Sequence, residues 1–502
     1  MGLERISFHT TQALHSIAAT REIEQAAASH LPAHTLMQRA GLSAARLVCA
    51  IAPHARVIWI ACGAGNNGGD GLEAAMHLRM WGRDAVVTWA GDDANCPPDA
   101  LASLHRARDA GVLFADAPPV HWDAAIDALL GIGASRAPEG EMVEWLALIH
   151  ESGKPVLQVD VPSGFCADTG QWLPDAIHSI AARADSMPAN GQFDSKKYTL
   201  SLLTLKPGLF TAHGRDACGE IWFDDLGISH AVNDPQAWLL GEREMLASPR
   251  MHASHKGSYG DVAVIGGASG MQGAALLAAR AALHAGAGRV FVGLLGGGMV
   301  VDPMQPELMF RDVASLDLAG KTVVCGCGGG EEVRRVLPRV LSSSERLVLD
   351  ADALNAIATD ESLQTLLKAR AAKNLLTILT PHPLEAARLL GSSTAEVQAH
   401  RLFAAQTLAD RFACTVILKG SGSIIASSGV APSINPTGDA RLATAGTGDV
   451  LAGICGAFLA QSGADALLAA QRATWVHGAL VGEATTSQVV PASELIKRIS
   501  QR

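Results

Sequence analysis

Two glycine-rich stretches combine the residue types that bind anions. The first, GAGNNGGDG at 63–71, follows an apolar run, and the second, AGTGD at 445–449, precedes one. Glycines let the backbone approach a ligand closely, and free N–H groups at the start of a helix attract negative charge. The sequence therefore predicts two anion-binding loops. For the first stretch, a tight turn without a ligand is the alternative.

The second stretch also places a carboxylate, Asp449, beside its glycines. A hydroxyl group that attacks a phosphoryl group needs a positioned base and neutralisation of the developing charge. Asn435 and Gly438 upstream strengthen this interpretation. Lys419-Gly420-Ser421-Gly422-Ser423 follows a predicted strand and could contact nucleotide phosphates, although its residue order is not that of a Walker loop. For Lys419, a solvated lysine at a strand end is the alternative.

In the first half, Asp160 ends the apolar run PVLQVD, where a parallel sheet would open. A carboxylate at that position is a candidate general acid or base, and capping of loop hydrogen bonds is its alternative role. A further glycine loop with one cation, suited to a phosphate, is Gly131-Ile132-Gly133-Ala134-Ser135-Arg136-Ala137.

Three oxygen-bearing side chains, Asn67, Asp127 and Ser163, follow or end predicted strands. In open α/β folds, ligands bind beyond the carboxyl ends of the strands, so the three could converge at one sheet edge. Such hard donors could hold a monovalent or divalent cation. All three residue types are common in such loops, so spacing alone does not decide between a cation site and ordinary loop residues.

Two further stretches follow predicted strands. Thr380-Pro381-His382-Pro383 holds a histidine in a rigid, non-helical loop that can present its ring to a ligand, and a structural histidine is the alternative. Cys325-Gly326-Cys327-Gly328-Gly329-Gly330 is flexible enough for another close ligand approach. We interpret its two cysteines as incidental rather than redox-active.

The elements that must position these residues are short apolar strands alternating with alanine-rich helices. This alternation predicts an α/β protein with parallel sheets covered on both faces. We expect two domains, 1–235 and 245–502. The predicted helices include one from Leu72 to about Trp81 after the first glycine loop, one over 273–286, and an apolar one from Val450 to Leu459 after the second glycine stretch. The predicted strands are 56–62, 84–90, 124–131, 155–162, 261–267, 289–295, 321–326, 346–352, 377–381 and 414–420.

Composition excludes several classes of protein. The 502 residues are 48% hydrophobic and 18% charged, which leaves ample material for more than one core and argues against disorder. A net charge of −10 disfavours a nucleic-acid binder. Nine scattered cysteines form neither a disulfide framework nor a zinc motif. No signal peptide and no apolar run of membrane-spanning length is visible, so we expect a cytoplasmic protein.

Three motifs of the first half, GAGNNGGDG, DALLGIGASR and VDVPSG, resemble in order and spacing the NAD(P)H-hydrate epimerase domain. The resemblance implies a Rossmann-like three-layer αβα fold, and potassium held by Asn67, Asp127 and Ser163. Ala64 in place of the usual proline and a long 186–197 segment are departures. The implied substrate-binding residues are Asn66, Asn67, Gly68, Gly69, Asp70, Gly131, Ile132, Gly133, Ala134, Ser135, Arg136, Ala137 and Asp160, of which Asp160 is also catalytic.

Motifs over nearly the whole second half resemble the NAD(P)H-hydrate dehydratase, a branch of the ribokinase-like αβα fold. They are HKGSYGDVAVIGG, GAALLAARAALHAGAG, PELM, DADALN, TPHPLE, LKGSG and LATAGTGDVLAG. The departure is GCGGG at 326–330, where the family commonly has G-P-G-L-G, and this change should loosen the loop. The implied substrate contacts are Ala274, Gly328, His382 and the catalytic Asp449. The implied nucleotide contacts are Lys419, Gly420, Ser421, Gly422, Ser423, Gly446, Thr447 and Gly448.

Together the two resemblances imply one substrate, NADH or NADPH that has been hydrated on the nicotinamide ring. The first domain would interconvert the R and S epimers, and the second would dehydrate the S form at the expense of ADP with magnesium. We expect a homo-oligomer with small-molecule substrates, and no nucleic-acid or membrane partner. The alternatives are a ribokinase-type small-molecule kinase fused to a ligand-binding domain, and a first domain that serves as an interaction scaffold.

Overall fold

The structure, a computed structural model, describes residues 2–176, 196–228, 235–245, 250–461, 465–482 and 488–501. The chain divides into two compact units. One is formed by Met1–Ser7 and Ala13–Gln236, and the other by Phe8–Gln12 and Ala237–Arg502. The short strand Gln12–Leu14 lies where the chain passes back into the first unit. The long segment 186–197 falls almost entirely outside the described residues.

The first unit is a three-layer αβα domain, because its central strand Val57–Gly63 buries side chains on both faces. Ile58 and Ile60 belong to one apolar core, and Trp59 and Ala61 belong to another. Across the sheet the strands are Glu4–Arg5, Glu220–Asp224, Lys197–Leu202, Val156–Val159, Ala124–Ala128, Val57–Gly63, Asp84–Ala90 and Leu113–Phe114. Only the first pair of these is antiparallel. The helices are Ile17–Ala28, Thr35–Ile51, Asn66–Met80, Pro98–Asp109, Glu141–Glu151 and Gly214–Cys218.

The second unit has the same layering around a longer sheet. Val262 and Val264 pack into a core with the helices of one face, while Ala263 and Ile265 are buried on the other. Its strands in spatial order are Met309–Phe310, Arg289–Leu294, Asp261–Gly266, Lys321–Cys325, Arg346–Leu349, Leu376–Leu379, Thr415–Leu418, Ile424–Ser427, Val430–Ile434 and Ala237–Leu239. Its helices are Glu242–Met245, Gln272–His284, Val333–Ser343, Asp352–Ala358, Glu361–Ala371, Pro383–Leu390, Thr394–Ala399, Arg401–Phe412, Thr447–Gln461, Ala466–Ala479 and Ala492–Ile499.

The two-domain α/β architecture expected from the sequence is therefore confirmed. The expectation of parallel sheets is wrong at the Glu4–Arg5 edge of the first unit and over three strands of the second unit. Thr415–Leu418, Ile424–Ser427 and Val430–Ile434 pair antiparallel. Two residues, Ser428 and Gly429, connect the last two of these strands, and Gly429 has a φ of +79°. So short a connection can join only antiparallel neighbours.

The predicted start of two helices is also wrong. The first glycine stretch is not followed by a helix at Leu72, because the helix already begins at Asn66. Likewise, the helix after the second stretch begins at Thr447 rather than at Val450. Gly68 and Gly448, which we predicted as loop residues, thus lie in the first turns of helices. The close packing of the helix against the strand requires glycine at Gly68, because a Cβ there would lie 1.8 Å from the carbonyl oxygen of Gly63.

Within the described part of the chain, no helix is both long enough and apolar enough to cross a membrane.

Candidate functional site

A cavity of about 630 Å³ opens beyond the carboxyl ends of the strands in the first unit. Many of the residues that we predicted to bind substrate line it, namely Asn66, Asn67, Asp70, Gly131, Ile132, Gly133, Ala134 and Asp160. Gly68 and Gly69 are buried, whereas Ser135 and Arg136 are exposed in the loop that continues past the cavity. The helix Asn66–Met80 starts at this cavity, so its free N–H groups can attract an anion.

Asp160 forms a buried ion pair in this cavity. Its Oδ1 lies 2.6 Å from Nζ of Lys206, and its Oδ2 accepts a hydrogen bond from the Ile132 N–H at 3.1 Å. Lys206 is fully buried and also donates to the carbonyl oxygen of Leu202 at 2.8 Å. Asp160 thus does hold the loop, as the alternative interpretation proposed, and it also carries a charge partner that sequence reasoning missed. Its backbone φ of +67° lies in the left-handed region, which is rare for a residue other than glycine.

Two other carboxyl groups line the same cavity. Burial, together with the charge of Asp160, raises the pKa of Glu24, which lies on the helix Ile17–Ala28. Burial, with the charges of Asp160 and Glu24, raises the pKa of Asp70 well above its usual value. Buried carboxyl groups with raised pKa values in a cavity are candidates for proton transfer.

The three predicted cation ligands lie close together at this sheet edge. Ser163 Oγ donates to Asp127 Oδ1 at 2.6 Å, and the Leu130 N–H donates to Ser163 Oγ at 2.9 Å. The Asn67 side chain packs against the next residue, Gly131. Both polar atoms of that side chain are buried without a hydrogen-bond partner in the described part of the chain. Buried amide oxygens normally accept a hydrogen bond, so one without a partner is suited to act as a cation ligand.

In the second unit, the predicted phosphoryl-transfer residues also lie at one sheet edge. Lys419 Nζ would be 3.4 Å from a Cβ at Gly448, so the ammonium group lies against the first turn of the helix Thr447–Gln461. Asp449 lies in that turn, and burial together with the charge of Asp350 raises its pKa to about 7. His477 Nε2 lies 2.9 Å from the carbonyl oxygen of Thr447 and holds the turn in place.

Lys419 is not simply a solvated lysine. Its ammonium group lies 2.7 Å from Asp350 Oδ1 and 4.0 Å from Glu385 Oε2. Burial alone would lower the pKa of Lys419, but these two carboxylates raise it, so the group is cationic. Burial raises the pKa of Glu385 to about 7 despite the neighbouring ammonium group. A cation beside the start of a helix suits the phosphates of a nucleotide.

The remaining predicted contacts of the second unit differ in their burial and in the residues that they touch. Gly328 lies against Ala274, since a Cβ at Gly328 would be 2.9 Å from the Ala274 Cβ. His382 is the N-cap of Pro383–Leu390, where its Nδ1 accepts hydrogen bonds from the N–H groups of Leu384 and Glu385. The other ring nitrogen, Nε2, lies 3.2 Å from Glu385 Oε1, so both nitrogens of this exposed ring have partners within its own helix. The predicted contacts Gly420 and Ser421 are exposed, Gly422 is buried, and Ser423 is half-buried.

Sequence reasoning did not find three residues around the two sites, Lys206, Asp350 and Glu385, and it interpreted a fourth, Cys327, as incidental. Asp350 stood in the DADALN motif and Glu385 in TPHPLE, so a charged residue following a strand was the available signal. Nothing in the sequence marks Lys206, because the strand Lys197–Leu202 before it was not predicted. All nine cysteines are free, and Cys327 is fully buried.

Two family models match the chain. The model described as NAD(P)H-hydrate dehydratase matches residues 262–502, and the one described as YjeF-related protein N-terminus matches residues 33–207. These ranges contain both clusters of site residues described above, apart from Glu24.

Similar proteins match over both halves of the chain. The bifunctional NAD(P)H-hydrate repair enzyme Nnr of Escherichia coli (strain K12) is 34% identical over 465 residues, with 88% of this chain and 83% of the relative covered. The bifunctional NAD(P)H-hydrate repair enzyme Nnr of Coxiella burnetii is 34% identical over 476 residues, with 91% of this chain and 92% of the relative covered. The ADP-dependent (S)-NAD(P)H-hydrate dehydratase of Neisseria meningitidis serogroup B is 42% identical over 259 residues, covering 50% of this chain and 86% of that protein.

Proposed function

Because the chain belongs to the family of bifunctional NAD(P)H-hydrate repair enzymes, we propose that it restores hydrated NADH and NADPH. Its first unit interconverts the R and S epimers of the hydrate. Its second unit dehydrates the S epimer at the expense of ADP, giving NAD(P)H, AMP and phosphate. The substrate-binding and catalytic residues are those predicted from the sequence, with Asp160 and Asp449 as the catalytic carboxylates.

The observation that carries the proposal is the position of Asp449 in the first turn of a helix, near the Lys419 ammonium group. Asp449 takes the proton of the hydroxyl at C6 of the substrate, and the hydroxyl oxygen attacks the β-phosphoryl group of ADP with AMP as leaving group. The helix start and Lys419 neutralise the charge that develops. The C6–O bond then breaks with phosphate leaving, and loss of a proton from C5 restores the ring double bond.

In the first unit, Asp160 serves as the acid or base of epimerisation. It lines the cavity with one oxygen bound to Lys206 and the other to the Ile132 N–H, so its carboxylate is held in one orientation. A carboxylate held in one orientation reduces the entropy that must be lost to reach the reactive geometry. The helix start at Asn66 and the loop from Gly131 to Ala137 bind the nucleotide phosphates.

The residues at the two sites fit the expected cations. The unpartnered Asn67 amide, Asp127 and Ser163 offer the oxygen donors of a potassium site. The Glu385 carboxylate near Lys419 is a hard donor for magnesium, which proteins usually bind together with substrate phosphates. When bound, magnesium neutralises phosphate charge. Asp127→Ala removes the formal negative charge of the potassium set, so it should weaken the binding of both potassium and substrate, and unchanged epimerase activity in this variant would contradict the potassium site.

The proposal is tested by incubating the protein with hydrated NADH and magnesium, with ADP or ATP, and following the absorbance of NADH. Recovery of NADH with release of free phosphate is expected, with ADP as the preferred donor. A stable phosphoester product, without NADH, would instead indicate a kinase of the ribokinase type. We also expect a homo-oligomer and a cytoplasmic location, which light scattering and cell fractionation can check.

A further inference from the structure

The second site contains a group that the proposed reaction does not use, the thiol of Cys327. Its sulfur lies 3.9 Å from Asp350 Oδ2 and close to the carboxylate of Asp449. One ligand atom of each of these three side chains lies within 4.8 Å of the other two. A buried cysteine normally packs as a small apolar residue, so a thiol between two carboxylates calls for another explanation.

The two carboxylate oxygens of Asp350 have unequal partners, because the cationic partner contacts only Oδ1. Oδ1 accepts hydrogen bonds from Lys419 Nζ at 2.7 Å and Thr380 Oγ1 at 2.8 Å. For Oδ2, the described part of the chain offers only the Cys327 sulfur. A thiol is a weak donor, and Asp350 is only 2% exposed. A deeply buried carboxylate oxygen is therefore aimed at the thiol without a strong partner, which is the situation a bound cation would relieve.

The ligand types select which cation fits. One sulfur and two carboxylates leave a fourth position open, which matches zinc and similar borderline-soft ions. Magnesium and calcium prefer oxygen ligands alone. Zinc binds sulfur at about 2.3 Å and carboxylate oxygen at about 2.0–2.2 Å, so ligand atoms this close can share one ion after small side-chain adjustments. Asp449 is half-buried, so an ion can reach the cluster from its side.

We propose that Cys327, Asp350 and Asp449 bind Zn²⁺, and likewise Co²⁺ or Cd²⁺, and that the bound ion inhibits dehydration. The ion forms a bond to the Cys327 sulfur and displaces the thiol proton, which is released to solvent. It also occupies the Asp449 carboxylate, which then cannot accept the proton of the substrate hydroxyl. Binding depends only on these side chains, whereas inhibition rests on the proposed function.

Cobalt reports this site directly, since a thiolate bound to Co²⁺ gives charge-transfer absorption in the near ultraviolet. The full-length protein, without substrate or nucleotide, should show this band, saturate with one ion per chain, and lose the band when Zn²⁺ is added. Cys327→Ala and the isosteric Cys327→Ser should lose the band. Cys325→Ala should keep it, because Cys325 is an equally buried thiol two residues away. Circular dichroism verifies that each variant is folded.

Zinc should inhibit recovery of NADH, and Cys327→Ala should weaken that inhibition by at least roughly tenfold. Absence of the cobalt band in the unmodified protein, or an equal band in both Cys327 variants, overturns the metal site. A band that depends on Cys327, with zinc leaving turnover unchanged, overturns the inhibition instead. If the protein binds cobalt as expected but never restores NADH, the proposed function fails and the metal site stands.

Discussion

Lys206 is the buried charge partner of Asp160 in the first site. A fully buried ammonium group is costly unless a carboxylate pairs with it, and Asp160 does so at 2.6 Å. Removing one partner of such a pair typically costs about 3–5 kcal/mol, because the other charge is left buried and alone.

We therefore expect Lys206→Met to lower the free energy of unfolding by about 3–5 kcal/mol and to abolish epimerisation. The matched control is the double variant Lys206→Met with Asp160→Asn, which removes both charges and should regain much of the lost stability while remaining inactive as an epimerase. Denaturant unfolding followed by fluorescence measures the free energy of unfolding of the single and the double variant. A single variant as stable as the unmodified protein would contradict the buried ion pair.

Asp449 gives the second site a predictable pH dependence. Its pKa is raised to about 7, and only the ionised carboxylate can accept a proton. The kcat/KM of dehydration should therefore rise with pH up to about 7 and level off above it, falling roughly tenfold per pH unit below. Asp350→Asn removes the neighbouring negative charge and should move this limb to lower pH.

Glu385 has a pKa near the same value and could produce a similar limb. Glu385→Gln separates the two, because the acidic limb should persist in this variant if Asp449 is the base. Asp350→Asn should move the limb of either carboxylate, since the charge of Asp350 raises the pKa of both. An acidic limb that vanishes in Glu385→Gln would therefore show that Glu385, and not Asp449, is the titrating base.

At the scale of elements, both sites depend on helices that start directly at a strand end. The helix Asn66–Met80 can approach Gly63 only because Gly68 has no side chain. Gly68→Ala would place a Cβ 1.8 Å from the Gly63 carbonyl oxygen, so the helix must move.

We expect Gly68→Ala to destabilise the first unit by about 1–3 kcal/mol or more, as overpacking does. Gly65→Ser is the matched control, since a Cβ there meets nothing within 4 Å and a serine can cap the helix. In thermal unfolding, the midpoint should fall in Gly68→Ala and should not fall in Gly65→Ser. Equal midpoints for the two variants would mean that this close packing is not essential.

Much of this arrangement could be predicted from the sequence, for reasons visible in particular residues. Asp160 and Asp449 were found because strand ends and glycine-rich stretches have strong local signals. The helix starts at Asn66 and Thr447 were missed because glycine disfavours helices, and its packing role depends on a distant strand. Lys206 and Cys327 contact carboxylates far away in sequence, and no local pattern records such contacts. Asp350 could have been found as a charged residue that follows a strand.

At the scale of the whole molecule, the two units should fold independently. We predicted fragments 1–235 and 245–502, but the second unit also contains Ala237–Leu239, which pairs with Val430–Ile434. Leu240 and Met245 belong to its core. Residues 237–502 should therefore be soluble, retain dehydration of the S epimer, and unfold at a higher temperature than 245–502. Insolubility of 237–502, while the whole chain is soluble, would contradict independent folding.

The two sites are expected to act in sequence on one substrate, and a progress curve tests this most directly. Mixed epimers of hydrated NADH are given to each variant with ADP and magnesium, and absorbance of NADH is followed. Asp449→Asn should lose about two to four orders of magnitude in rate with both epimers. Asp160→Asn should consume the S epimer at the normal rate and then stall with the R epimer remaining. A single smooth phase to completion in Asp160→Asn, or near-normal turnover in Asp449→Asn, would contradict the account.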